Sequence, residues 1–200
     1  MKGQQAIAPI MMIGVFLAVI GSVYLWGVPL IEKNKALVYL TRAESLVSDV
    51  AEKIRDVAAA RGGQTFVFDL PGYAEFSNGT IVFVLDTKGT AYSPGVRQYL
   101  TNNRFGLSTR KMGIIDPVMA FVEVQKVGSK YRNSYVISTT PVTYGPDCIY
   151  INLTGSRAVG GQNTDFKLSY AGSVRIDDGS EYASYCSGRH TTVVNVRVSK

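Results

Sequence analysis

Residues 6–31 read AIAPIMMIGVFLAVIGSVYLWGVPLI and contain no charged side chain. A helix rises about 1.5 Å per residue, so this run reaches about 39 Å, which exceeds the hydrocarbon core of a bilayer at about 30 Å. The remainder of the chain is too short to enclose such a helix on all sides. The run therefore predicts a transmembrane helix rather than the central helix of a soluble core.

The length of the chain allows one domain beyond this helix, and its charge gives no sign of a nucleic-acid partner. The chain has 200 residues and a formal net charge of +6. The excess of Lys and Arg is spread over both halves of the chain, so no basic patch indicates a nucleic-acid partner, and none is expected.

The next 30 residues continue the helix in amphipathic form. No Pro or Gly occurs between Leu30 and Arg61, and the helix is expected to stop at Gly62 and Gly63. Spacings of four and three alternate between apolar positions, which is typical of a heptad pattern. The positions of this stripe are Ala36, Leu40, Ala43, Val47, Val50, Ile54 and Val57. The stripe is expected to pack on the chain's own head or on neighbouring subunits, and both can hold at once on different faces of the helix.

From residue 63 the hydrophobic period changes from helix to strand. Asn78 and Gly79 give the strongest hairpin signal. The predicted strands are 65–70, 75–76, 80–85, 118–127, 135–137, 148–151, 166–170, 173–176 and 192–198, and the longest predicted loop is 92–113. These patterns predict an α+β fold, in which a long N-terminal α-helix precedes an antiparallel β-sandwich-like head. The predicted division is a short leader at 1–3, the helix at 4–62 and the head at 63–200.

Two cysteines and two sequons bear on the location of the head. Cys148 and Cys186 are expected to form a disulfide if the head lies outside the cell, and are buried free thiols otherwise. Asn78 and Asn152 each begin an Asn-x-Ser/Thr triplet and are candidate N-glycosylation sites. Such triplets also arise by chance, and Asn78 already serves the predicted turn.

No pattern of residues indicates catalysis. His190 is the only histidine, which excludes a site with several histidine ligands. A nucleophile elbow, a P-loop and a dinucleotide-binding glycine motif are all missing from the sequence. The acidic residues within 177–181 lack the ligand spacing of an EF-hand loop and are interpreted as a turn. We expect no enzymatic activity, no metal and no cofactor.

The N-terminus resembles that of archaeal type IV pilin-like proteins and archaellins. The shared features are a short basic leader, the Gly3–Gln4 junction, and an apolar helix that begins Ala6-Ile-Ala-Pro-Ile. Two departures are that Ala8 occupies the place of the Glu found in bacterial pilins, and that only Gln4 fits the Gln-x-Ser-x-Glu pattern of one archaeal subgroup. The resemblance covers about the first 60 residues and does not extend to the head.

The resemblance implies that a prepilin peptidase cuts between Gly3 and Gln4. It also implies that the subunit waits in the membrane and is then polymerised by an assembly machinery into an extracellular filament at the cell surface, made of copies of itself. Gly14 and Gly21 are candidate positions for close helix packing, although membrane helices also tolerate Gly in general. The rival hypotheses are a single-pass envelope protein with a binding head, similar to an archaellum stator component, and a membrane-tethered enzyme.

Overall fold

The computed structural model describes residues 4–100, 116–176, 186 and 188–200, with side-chain surroundings from residue 11 onward. Three sequence predictions fall outside this range. They are the leader residue Gly3, the acidic turn within 177–181, and residues 101–113 of the predicted loop.

The N-terminal helix is continuous but changes its winding once. It consists of α1 (Gln4–Ser22), a single π-helical turn (Val23–Gly27) and α2 (Val28–Ala60). Pro29 lies in the first turn of α2. Within a regular α-helix its ring would clash with the carbonyl of Leu25, and a wider π turn just before it removes that conflict. Gly27 and Pro29, two residue types that can interrupt a helix, are therefore passed without a break.

The helix ends slightly earlier than the paired glycines predict. The last helical residue is Ala60, and Arg61 takes the left-handed conformation that closes the helix, with φ 55°. Gly62 and Gly63 have ordinary φ values, and Gly63 already begins the first strand. Left-handed backbone usually falls to Gly at this position. The glycines therefore mark the helix end without serving as its cap.

Eleven strands among the described residues form two sheets. The five-stranded sheet has the order β1-β10-β11-β8-β7, and the six-stranded sheet has the order β4-β5-β6-β3-β2-β9. In chain order the strands are β1 (Gly63–Phe68), β2 (Tyr73–Ser77), β3 (Thr80–Thr87), β4 (Gln98–Tyr99), β5 (Val118–Val127), β6 (Lys130–Thr139), β7 (Val142–Tyr144), β8 (Asp147–Thr154), β9 (Ala158–Gly161), β10 (Thr164–Ile176) and β11 (His190–Ser199). The predicted α+β class with a sheet-built head is confirmed.

The structure adds three details that the strand prediction lacked. The short strands β4, β7 and β9 were not predicted, and β4 lies inside the segment predicted as a loop. The two predicted strands at 166–170 and 173–176 are one strand, β10, with a register shift between Tyr170 and Ser173. The pair β8 and β11 is parallel, whereas all other pairs in the described residues are antiparallel.

The hairpin between β2 and β3 follows the sequence closely. Ser77 pairs with Thr80, so Asn78 and Gly79 form a two-residue turn. Both turn residues have positive φ, 50° and 72°, as the turn type that matches strand twist requires.

The two sheets and α2 share one hydrophobic core. Phe83 of the six-stranded sheet contacts Phe66 edge-to-face at 6.0 Å and stacks on Phe68 at 5.6 Å between ring centroids. Phe66 in turn stacks on Phe166 at 5.2 Å. The aromatic contacts show that β1 and β10 face β3 across the sandwich, and α2 packs against strands of both sheets.

A disulfide joins Cys148 of β8 to Cys186, with a Cα–Cα distance of 5.7 Å. Cys148 lies opposite Thr191 of β11, and both are fully buried. Side chains alternate along β8, and Ile151, three residues after Cys148, faces the core. Cys148 and the paired Thr191 therefore lie on the face of the sheet turned away from the core. The predicted disulfide is thus present, and it links Cys186, which precedes β11 in the chain, to that outer face.

Replacing both cysteines by alanine is expected to lower the free energy of unfolding by about 4 kcal/mol. The bridge closes a loop of 38 residues, and its removal restores that chain entropy to the unfolded state. Denaturant titration of the full chain in detergent measures the change. A reducing agent should destabilise the native protein and leave the double variant unchanged, and a loss below about 1 kcal/mol would contradict the prediction.

Candidate functional site: the N-terminal helix

The first half of the helix is apolar and exposed. The helical span from Met11 onward contains an 18-residue window with mean hydropathy 2.1, and no residue of that window is buried within the chain. Leu25 is 81% and Trp26 83% exposed. Exposed apolar side chains in such a run require a partner other than water, since each buried methylene contributes about 0.8 kcal/mol. The chain therefore has one described helix that is long and apolar enough to cross a membrane.

The predicted packing glycines lie on this exposed half. A Cβ atom added to Gly14 or Gly21 would have no neighbour within 4 Å. At 100° per residue the two positions, seven residues apart, lie within about 20° of each other around the helix. They form a flat strip on one face, and within a single chain this strip contacts nothing.

The junction with the head carries the first charges after the apolar run. Lys88, which follows β3, forms an ion pair with Glu32 at 2.5 Å. Both side chains are more than one-third exposed, so this pair contributes little to stability. It marks the level at which the helix meets the head, a little beyond the amphipathic rings of Tyr24 and Trp26. Such rings favour a membrane–water interface.

The second half of the helix is buried by the head. The seven predicted stripe residues, from Ala36 to Val57, are each at most 4% exposed, and Ala51 joins them. From Leu40 onward they belong to the single core cluster shared with both sheets. Of the two alternatives for this stripe, packing on the chain's own head is the one observed. These side chains are not available to a neighbouring subunit.

Polar contacts fix the docked half in place. The Tyr92 hydroxyl donates a short hydrogen bond to the Glu44 carboxylate, and the Tyr135 hydroxyl donates to the Leu40 carbonyl at 3.4 Å. Burial raises the pKa of Tyr92, and the bond to Glu44 raises it further. Burial likewise raises the pKa of Tyr135. Both hydroxyls therefore stay protonated well above neutral pH.

A second polar contact lies near the end of α2. Arg55 Nε donates to Asp116 Oδ1 at 3.0 Å, and the backbone N–H of Val118 donates to the same oxygen at 3.0 Å. The Asp116 side chain is only 3% exposed. Tyr92, Glu44 and Asp116 were not singled out from the sequence, because Tyr92 is 48 residues from Glu44 and Asp116 is 61 residues from Arg55.

The two sequons have different surroundings. Asn78 occupies the hairpin turn with its left-handed backbone. The Asn152 amide donates to Asn195 Oδ1 across the parallel pair at 2.9 Å. Neither arrangement tests glycosylation, which stays a prediction for both residues.

Comparison of the chain with protein-family models, with curated proteins and with solved structures finds no match. Among the described residues, no group of three or more His, Cys, Asp or Glu side chains is placed to hold a metal ion. The fold and the site define an α+β protein in which an exposed, membrane-compatible half of a helix continues into a half docked on a disulfide-linked head.

Substituting alanine for Leu40 is expected to cost about 2–5 kcal/mol of stability, because Leu40 is 2% exposed within the core. Leu37 is the matched control, since it lies on the same helix and is 39% exposed. Leu37→Ala should change stability by less than about 1 kcal/mol. Equal effects in denaturant titrations of the two variants would contradict the docking of the stripe.

Stability is expected to fall as pH rises above about 10, the ordinary pKa of tyrosine. The folded-state pKa values of Tyr92 and Tyr135 are raised, so above pH 10 the unfolded state loses these protons first and is favoured. Denaturation midpoints between pH 8 and 11 measure this. Tyr92→Phe should flatten the dependence, while Tyr24→Phe, on the exposed apolar half, should not. An unchanged slope in Tyr92→Phe would count against the proposed linkage.

Proposed function

We propose that the chain is a structural subunit, a pilin, of an archaeal type IV pilus-like extracellular filament. The observation that carries the proposal is the two-part helix. One half is exposed and apolar, and the other half, continuous with it, is buried in the head. The exposed half is the polymerisation surface, and the head forms the outside of the filament.

Fixed docking of the helix supports a polymer more than a simple tether. A tether needs only a span and a linker, whereas α2 is held by a buried stripe and by the Tyr92–Glu44 bond. In a helical polymer every head must keep one orientation relative to its apolar helix. The helix continues without a break through its π turn, so the head and the apolar half keep a fixed relative orientation.

The membrane serves as the store for the subunit before assembly. Lipid tails and packed helices are similarly apolar, so exchange between them is governed by close packing rather than by hydrophobicity. Gly14 and Gly21 supply a surface on which another backbone can approach closely. Cleavage between Gly3 and Gln4 by a prepilin peptidase, and an assembly machinery, belong to the same proposal.

The head carries the surface properties of the filament. Its disulfide is the covalent protection expected of a domain outside the cell. Glycans on Asn78 and Asn152, and a role in adhesion, are assigned to this surface as part of the proposal.

One observation favours the second candidate, a single-pass envelope protein with a binding head, similar to an archaellum stator component. Ala8 stands at the position where bacterial pilins carry a Glu, and the uncharged run 6–31 is by itself long enough to span a bilayer core of about 30 Å. Mass spectrometry of the mature N-terminus separates the two candidates. Gln4 as the first residue supports the pilin, and an uncut N-terminus supports the anchor.

Gly14→Leu and Gly21→Leu are expected to abolish or strongly reduce filaments at the cell surface, because both substitutions fill the strip where helices approach. Neither substitution disturbs the single chain, since an added Cβ meets no atom within 4 Å. Electron microscopy of cells measures the filaments, and membrane levels of the subunit confirm its expression.

Val19→Leu is the matched control, because Val19 is 54% exposed on the same helix and lies about 140° around it from Gly14. This variant should assemble normally. Normal filaments in both glycine variants would overturn the use of this face.

A further inference from the structure

A cavity of about 640 Å³ opens where α2 ends between the two sheets. Its floor is the inner face of the five-stranded sheet, with Ile149, Ile151 and Val194. Ala58 and Ala59 of the last helical turn form one wall. This volume lies within the range of pockets that hold small molecules or single peptide segments. The cavity lies on the head, at the opposite end of α2 from the exposed apolar half.

One residue of the lining, Asp116, has a buried carboxylate oxygen that lacks a hydrogen-bond partner among the described residues. Asp116 is 4% exposed and lines the cavity. Its Oδ1 accepts both the Arg55 and the Val118 hydrogen bonds, while its Oδ2 is buried and accepts none in the part of the chain that the structure describes. A buried carboxylate oxygen without a donor has lost its hydration and gained no hydrogen bond in return, which is unfavourable. A donor brought by a ligand removes that cost.

The fold positions this lining through one irregularity. The register shift between Tyr170 and Ser173 places one extra residue in β10, so Arg175 pairs with Thr192 and joins the inner face. Without the shift, the alternation that puts Phe166 and Leu168 in the core would turn Arg175 to the outer face. Two arginines and two aspartates line the cavity, namely Arg55, Arg175, Asp116 and Asp147, so their formal charges offset one another.

We propose that this cavity binds an aliphatic chain ending in a primary ammonium group, which donates to Asp116 Oδ2. An ammonium is favoured over a hydroxyl because a charge-assisted bond to a carboxylate is roughly twice as strong as a neutral one. The aliphatic part packs on Ala58, Ala59 and Ile149. Two sources share this chemistry, a free alkylamine and the lysine side chain of a peptide. The proposal is independent of filament formation.

The test uses the full chain in lipid nanodiscs with labelled isoleucine methyl groups. Hexylamine and an acetylated, amidated Ala-Lys-Ala peptide are titrated separately, with hexanol and hexanoate as comparisons. We expect saturable shifts of the Ile149 and Ile151 methyl signals with an amine probe, and at least about tenfold weaker binding of hexanol and hexanoate. Binding of hexylamine alone assigns the site to free amines, and binding of the peptide alone assigns it to lysine side chains.

Asp116→Asn keeps the shape of the side chain and should weaken amine binding at least about tenfold. Asp86→Asn is the control, because Asp86 pairs with Arg132 outside the cavity, and it should bind as the native chain does. If Asp116→Asn fails to fold, Ala59→Trp supplies the test, since Ala59 is exposed at the cavity wall and the larger ring blocks it. The absence of saturable shifts with both amine probes, or equal binding of amine and hexanol, overturns the proposal.

Discussion

Burial of one stripe of the long helix between two sheets is the constraint on which the rest of the structure depends. The stripe residues Ala43, Val47 and Val50 are fully buried, and they belong to the same core as the phenylalanines of both sheets. Without α2, the two sheets would expose their inner faces along the side that it covers. The helix is therefore a structural part of the head as well as the element that extends from it. Because one continuous helix is both docked in the head and extended beyond it, the direction of the exposed apolar half is fixed relative to the head.

The two halves of the helix differ in how their apolar side chains are distributed around the helix axis. In the first half apolar residues surround the helix on every side, which suits lipid or neighbouring helices. In the second half they narrow to one stripe, while Glu44 and Arg55 reach sideways to hydrogen-bond with Tyr92 and Asp116. The π turn before Pro29 joins the halves without a break. In the proposed filament subunit, the exposed half changes its surroundings from lipid to neighbouring helices while the docked half keeps its own.

The head is held together by both local and long-range structural features. The Asn78–Gly79 turn is local and joins adjacent strands. The disulfide and the parallel pair of β8 with β11 are long-range, and they act at the same place, since Cys148 lies opposite Thr191. The register shift in β10 changes which side chains face inward beyond it, and the cavity beside Asp116 lies in that region. The cavity therefore lies near the C-terminal end of α2, at a distance from the exposed apolar half of the helix.

The sequence by itself determined the elements whose signals are local. Hydrophobic periodicity located the long helix, its buried stripe and most strands, and Asn78 with Gly79 located the hairpin. Cysteine count gave the only disulfide pairing the sequence allows. Tertiary structure alone decided that the stripe packs on the chain's own head, that β8 and β11 run parallel, that Arg61 rather than a glycine closes the helix, and that Asp116 is buried beside a cavity. The physical reason is that these outcomes depend on contacts between residues far apart in the chain, and neither periodicity nor turn chemistry carries that information.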